Sequence, residues 1–148
     1  MKRTLRSRLK PGAIYLLTLT LALSLGSCSP KVKFQTSSVV PAAEGWAKVK
    51  RTESNYSVRI RIHHLAPAER LNPPQEVYTV WVDTEANGIR WLGSMKSSSG
   101  FLSKTLKASL DATIPYKPVR VIVTAEQEDH PEHPGLYTVL QTGSIRVR

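Results

Sequence analysis

Tyr56-Ser57-Val58-Arg59-Ile60-Arg61-Ile62-His63 alternates without a break. Tyr56, Val58, Ile60 and Ile62 fall on one side; Ser57, Arg59, Arg61 and His63 fall on the other. Successive side chains of a strand point to opposite faces, so this octet puts one face in a core and one in water. Val and Ile suit an extended, half-buried chain.

The same period continues on both sides of the octet. Ala47 and Val49 alternate with Trp46, Lys48 and Lys50, which predicts a first short strand after Gly45. Pro67 and Asn72-Pro73-Pro74 end the octet's strand in a loop. Val77 to Val82 is apolar on both sides apart from Thr79 and the Tyr78 hydroxyl, as a central strand requires. Glu85-Ala86-Asn87-Gly88 predicts a hairpin turn, because Asn-Gly accepts positive φ at low cost. Ile89, Trp91 and Met95 are expected to face the core with Gly93, and Arg90, Ser94 and Lys96 to face away. Ser97-Ser98-Ser99-Gly100 breaks the chain. Leu106, Ala108 and Leu110 alternate with Thr105, Lys107 and Ser109. Leu102, Leu106 and Leu110 also fit helical i, i+4 spacing, but a strand agrees with every other element. Val119, Val121, Val123 and Ala125 alternate with Arg120, Ile122 and Thr124. Glu126 to Gly135 reads as a loop holding Pro131 and Pro134. Leu136 to Leu140 and Ser144 to Arg148 are expected as final strands, with a bulge at Gly143. About seven short strands without a convincing helix predict an all-β, antiparallel immunoglobulin-like β-sandwich over residues 44–148.

The chain has 148 residues and a formal charge of +10, from 21 Lys and Arg against 11 Asp and Glu. Five of the cations (Lys2, Arg3, Arg6, Arg8 and Lys10) precede Cys28, and all the acids follow it. Sixteen cations and eleven acids therefore remain beyond Cys28, a net +5. That balance suits an anionic envelope surface and falls short of a nucleic-acid-binding tail. Cys28 is the single cysteine, which excludes an internal disulfide, a CxxC redox motif and cysteine-based zinc sites. The domain must be held by its apolar core.

Residues 1–27 have the three parts of an export signal. Met1 to Lys10 is basic. Ala13 to Leu25 is largely apolar but too short to span a hydrocarbon core of about 30 Å as a helix. Leu25-Gly26-Ser27-Cys28 resembles a bacterial lipobox: a Leu, two small residues, then Cys. That resemblance implies transfer of a diacylglyceryl group to the Cys28 thiol and cleavage just before it. Small Gly26 and Ser27 admit the backbone to the peptidase site, and Leu25 fills an apolar pocket. Ser29 stands where enterobacterial lipoproteins kept at the inner membrane commonly have Asp, so the outer membrane is favoured where the source has one. Residues 28–43 read as a lipid-anchored flexible linker, with Ser29-Pro30, Thr36-Ser37-Ser38 and Pro41. Lys31 and Lys33 lie close to the expected anchor, within reach of anionic headgroups.

Tyr78-Thr79-Val80-Trp81, the following hairpin, Leu92-Gly93, and Val121-Ile122-Val123-Thr124-Ala125-Glu126 together resemble the extracytoplasmic C-terminal domain of anti-sigma-K-factor-like proteins. The resemblance covers about residues 56–145. It implies a fold outside the cytoplasm and, as an alternative function, an accessory or sensor module of transmembrane signalling. The signal peptide and lipobox stand where those proteins carry a sigma-binding segment and a membrane span, so sigma-factor binding does not carry over.

Candidate chemistry is sparse. His63 and His64 are adjacent, and neighbours on a strand point apart, so they do not chelate one ion readily. Glu126, Glu128, Asp129, His130, Glu132 and His133 are dense enough for a divalent ion, but Pro131 and Pro134 hold that loop extended. No serine sits in a G-x-S-x-G elbow, and no Gly-rich phosphate loop is present. Trp46, Trp81 and Trp91 form a sugar platform only if they share an exposed face; at strand positions they are expected in the core. Arg59, Arg61 and Arg120 are expected to make a basic face on one sheet.

The expected function is therefore a membrane-anchored envelope lipoprotein with a non-catalytic sandwich, not an enzyme. It would bind or scaffold an extracytoplasmic partner, an envelope protein or an anionic surface, as a monomer and without a cofactor, metal or nucleic acid. Cys28, the lipid-attachment residue, is its one expected site. Loops such as Glu126 to Gly135 are the expected contact surface.

Overall fold

The computed structural model describes residues 29–99 and 105–147. Among them are nine strands: β1 (Lys31–Lys33), β2 (Glu44–Arg51), β3 (Tyr56–His63), β4 (Val77–Thr84), β5 (Gly88–Met95), β6 (Ser98–Ser99), β7 (Leu106–Ile114), β8 (Pro118–Glu126) and β9 (Thr138–Gln141). One 3₁₀ turn, Ala68–Arg70, lies between β3 and β4.

The strands form two antiparallel sheets. One has the order β1-β2-β3-β7-β6 and the other β5-β4-β8-β9. The quoted octet is β3, paired along its whole length with β2 on one side and β7 on the other. Successive strands leave one sheet and return to it, in the Greek-key order of an immunoglobulin-type sandwich. The helical alternative for residues 102–110 is settled within its described part, since β7 is a strand and continues to Ile114.

The period-two pattern explains the layers. Ala47, Val49, Val58, Ile60, Ile62 and Ala108 of the first sheet meet Tyr78, Val80, Val82, Val121, Val123 and Ala125 of the second in one core. Gly93 leaves room there: a Cβ would lie 3.0 Å from Leu110 Cδ1 of the opposite sheet. Beneath this layer Leu65 is fully buried, and the Tyr78 hydroxyl donates to the Ala66 carbonyl at 2.7 Å. Burial is the main reason the Tyr78 phenol is pushed up to about 12. The Asn87-Gly88 turn is as expected. Gly88 has φ 66°, the Thr84 hydroxyl accepts from the Asn87 N–H at 3.0 Å, and it donates to the Gly88 carbonyl at 2.7 Å.

Four expectations are corrected. Trp91 is 38% exposed and Ile89 46% exposed, although Met95 is buried. The β4–β5 register shifts between Val80 and Trp81, so Val80 pairs with Gly93 but Trp81 with Trp91. One extra residue reverses the parity, and Ile89 and Trp91 turn outward. Second, residues 29–43 are not a free linker. β1 pairs with β2, Phe34 bridges Thr142, and Val40 and Ala43 are buried in the core. The Ser37 hydroxyl accepts from the Val40 N–H at 2.9 Å and so turns this segment inward. Third, Ser144 to Val147 form no strand, although the Ile145 N–H donates to the Val119 carbonyl at 2.8 Å. Fourth, the late bulge is not at Gly143; the β8–β9 register shifts between Val123 and Thr124. Cys28 and the signal segment lie outside the described residues, as do Leu102 and Arg148.

Candidate interaction surfaces

Each sheet has an outer face, and the two are built differently. On the four-stranded sheet, Thr79 and Trp81 of β4 lie across from Thr124 and Ile122 of β8 and from Ser94 and Trp91 of β5. The chain after β8 folds back over these positions. Glu126, only 8% exposed, accepts from the Gly135 N–H at 2.8 Å and from the Thr124 hydroxyl. Thr124 Oγ1 in turn accepts from the Trp81 indole N–H at 2.8 Å, and Trp81 is 2% exposed. Further out, the Ser94 hydroxyl donates to the Asp129 carbonyl at 2.6 Å. The His130 ring stacks on Trp91 at 4.1 Å between centroids and 11° between planes.

Glu126 to Gly135 is therefore pinned at both ends and in the middle. Gly135 lies close against the Glu126 carboxylate, so a Cβ there would require that side chain to shift. The two prolines were legible as stiffening, but the anchoring of the loop to Trp81 and Trp91 was not. Among the described residues, no three His, Cys, Asp or Glu side chains converge as a metal site. His130 faces Trp91, while His64 adopts φ 56° just after β3 and has its Nε2 3.8 Å from Glu44 Oε1. His64 leaves the sheet there, which is the strand-end reading of the His63-His64 pair.

The outer face of the five-stranded sheet is open and basic. Across its strands run the rows Lys31-Lys48-Arg59-Asp111, Lys33-Trp46-Arg61-Ser109, Lys50-Ser57-Thr113 and Glu44-His63-Lys107. All have the parity opposite to the core residues of the same strands. Arg61 holds Asp111 in a fork of two bonds at 2.8 Å, and Arg59 Nε reaches the same carboxylate at 3.2 Å. The hydrogen bond from Arg61 is the main reason Asp111 is held below the ordinary carboxylate range; the same bond raises Arg61. Trp46 is half-buried, with Lys31 Nζ 4.2 Å from its ring centroid.

These rows hold seven cations and two carboxylates. The other described residues hold seven Lys and Arg against nine Asp and Glu. Among the described residues, the excess of positive charge therefore sits on this face.

Two sequence expectations fail here. Arg120 is not on the face with Arg59 and Arg61; it is on β8 of the other sheet, 3.8 Å from Asp83. The three tryptophans do not share a face: Trp81 is buried as expected, but Trp46 is half-buried and Trp91 is exposed. Trp46 lies on one outer face, and Trp81 and Trp91 on the other. The lysines of β1, β2 and β7 were each legible as outward residues, but joining them needed the strand order.

A shallow groove lined by Gln35, Ser37, Thr138 and Gln141 carries no titratable group. No helix among the described residues is long and apolar enough to cross a membrane. No family model, curated protein or solved structure matches the chain.

Proposed function

We propose that this chain is an envelope lipoprotein, anchored through acylated Cys28, whose sandwich binds or scaffolds a partner outside the cytoplasm without catalysing a reaction. The observation that carries the reading is the order of the first 28 residues: a basic start, a short apolar run, and Leu25-Gly26-Ser27-Cys28. The sandwich supports it in two ways. Its core is continuous without a disulfide, as a domain with one acylated cysteine requires. Its distinctive features lie on outer faces and a pinned loop, where binding surfaces are commonly carried on a rigid scaffold.

Two or three acyl chains give stable anchoring, whereas one chain binds only marginally. Metabolic labelling with a radioactive fatty acid tests the reading. The wild-type protein should incorporate label and remain with the membrane fraction after a high-salt wash. Cys28→Ser should incorporate none. Equal labelling of both proteins, or no labelling of either, defeats the proposal.

A further inference from the structure

We infer that the outer face of the five-stranded sheet lies against an anionic phospholipid bilayer. The inference deepens the anchoring reading and rests on it for where the chain begins; the charge argument stands apart from it. Three observations converge on this face. It carries seven cations against two carboxylates, while the other described residues carry seven Lys and Arg against nine Asp and Glu. A sheet face is broad and its outward side chains stand on one side, so several lysines can reach one layer of phosphates together. Duplex nucleic acid presents a curved, grooved cylinder, and that favours a narrower stripe or an inserted element.

The second observation is position. Lys31 stands three residues after Cys28, at most about 10 Å of extended chain. Attraction to a charged surface fades over about 8 Å at physiological ionic strength. A domain tied at Cys28 therefore holds β1 inside the field of the headgroups, and the open face adjoining β1 is the basic one. The third is Trp46, in the middle of the cations and half-buried beneath Lys31. Tryptophan is enriched at membrane interfaces, where its ring is partly apolar and its N–H stays wet. Asp111 opposes docking, and its carboxylate occupies Arg59 and Arg61.

The test is lysine footprinting of the full chain on vesicles of phosphatidylcholine alone or mixed equally with phosphatidylglycerol. A membrane-impermeant acylating reagent labels exposed amines, and peptide mass spectrometry reads each site. On the anionic vesicles Lys31, Lys48, Lys50 and Lys107 should label several-fold less than on neutral ones, and added salt should restore them. Lys96 and Lys117, on connections outside this face, should not change. Lys48→Gln with Arg59→Gln should weaken docking about 25-fold, since each cation near an anionic surface is worth about fivefold. Asp111→Asn should strengthen it about fivefold by the same rule. Equal labelling on both vesicles overturns the inference while leaving acylation at Cys28 intact. Protection on anionic vesicles by a chain found to be unacylated supports the face and removes the anchor. Protection by a DNA or RNA oligonucleotide but not by phosphatidylglycerol overturns the lipid assignment.

Discussion

Trp81 and Trp91 lie across from each other on the same outer face, yet truncating them should cost very different amounts. Trp81 is enclosed and its indole N–H is satisfied by Thr124, so Trp81→Ala should lose about 3–5 kcal/mol. Trp91 is exposed on one side and stacked on His130, so Trp91→Ala should lose about 1 kcal/mol. Urea unfolding of the two variants decides it; equal losses would mean the register shift between Val80 and Trp81 is misplaced. That shift is also why alternation misjudged Trp91, since Ile89 to Met95 reads as one unbroken pattern and nothing local marks the extra residue. Tyr78 gives a second residue-scale test. Its phenol has an ordinary value of 10.0 and is raised to about 12 in the fold. A raised group stabilises fully below its unfolded value and loses that contribution as pH rises through the folded one. Stability should therefore fall by about 2–3 kcal/mol between pH 10 and 12 through this group. Tyr78→Phe should lack that share of the alkaline limb, and parallel curves for both proteins would contradict the assignment.

At the scale of elements, β1 and the loop after β8 are the parts that composition hid. Residues 29–43 are polar and proline-containing, and the apolar members that anchor them, Val32, Phe34, Val40 and Ala43, are irregularly spaced. Each packs on or into the core, with Ser37 turning the chain between them. Periodicity over a window does not detect irregularly spaced anchors of this kind. A chain starting at residue 37 loses β1 and Phe34, and should be about 2–3 kcal/mol less stable than one starting at Ser29. An unchanged urea midpoint would return this segment to the role of a tether. In the loop, Glu126→Ala removes the acceptor for the Gly135 N–H and the Thr124 hydroxyl, at about 1–3 kcal/mol. Amide exchange at Gly135 should accelerate in that variant. If it does not, the loop is held by something other than the carboxylate.

Over the whole molecule, the fold was legible because β3 and its neighbours alternate cleanly and turn residues separate them. The pairing of β3 with β7, roughly fifty residues later in the chain, left no local trace. The basic face was illegible for the same reason, since it is assembled from strands that are not consecutive. Arg120 was grouped with Arg59 and Arg61 by residue type alone, and the strand order separates them. Lys31 and Lys33 also protect the edge of the sheet, because charged side chains there discourage pairing with another chain. Charge on one face, an edge strand near the expected anchor, and a pinned loop on the opposite face give the domain two unlike sides. Such a molecule suits attachment at a membrane, with one side toward the lipid and the other toward the aqueous compartment.

The anchor at Cys28 is the premise on which that orientation depends. Mass spectrometry of the N-terminal peptide from protein isolated with the membrane fraction tests it most directly. The expected peptide begins at Cys28 and carries the mass of a diacylglyceryl group, with or without a further N-acyl chain. A peptide beginning at Met1, or one holding Cys28 as an unmodified thiol, contradicts it.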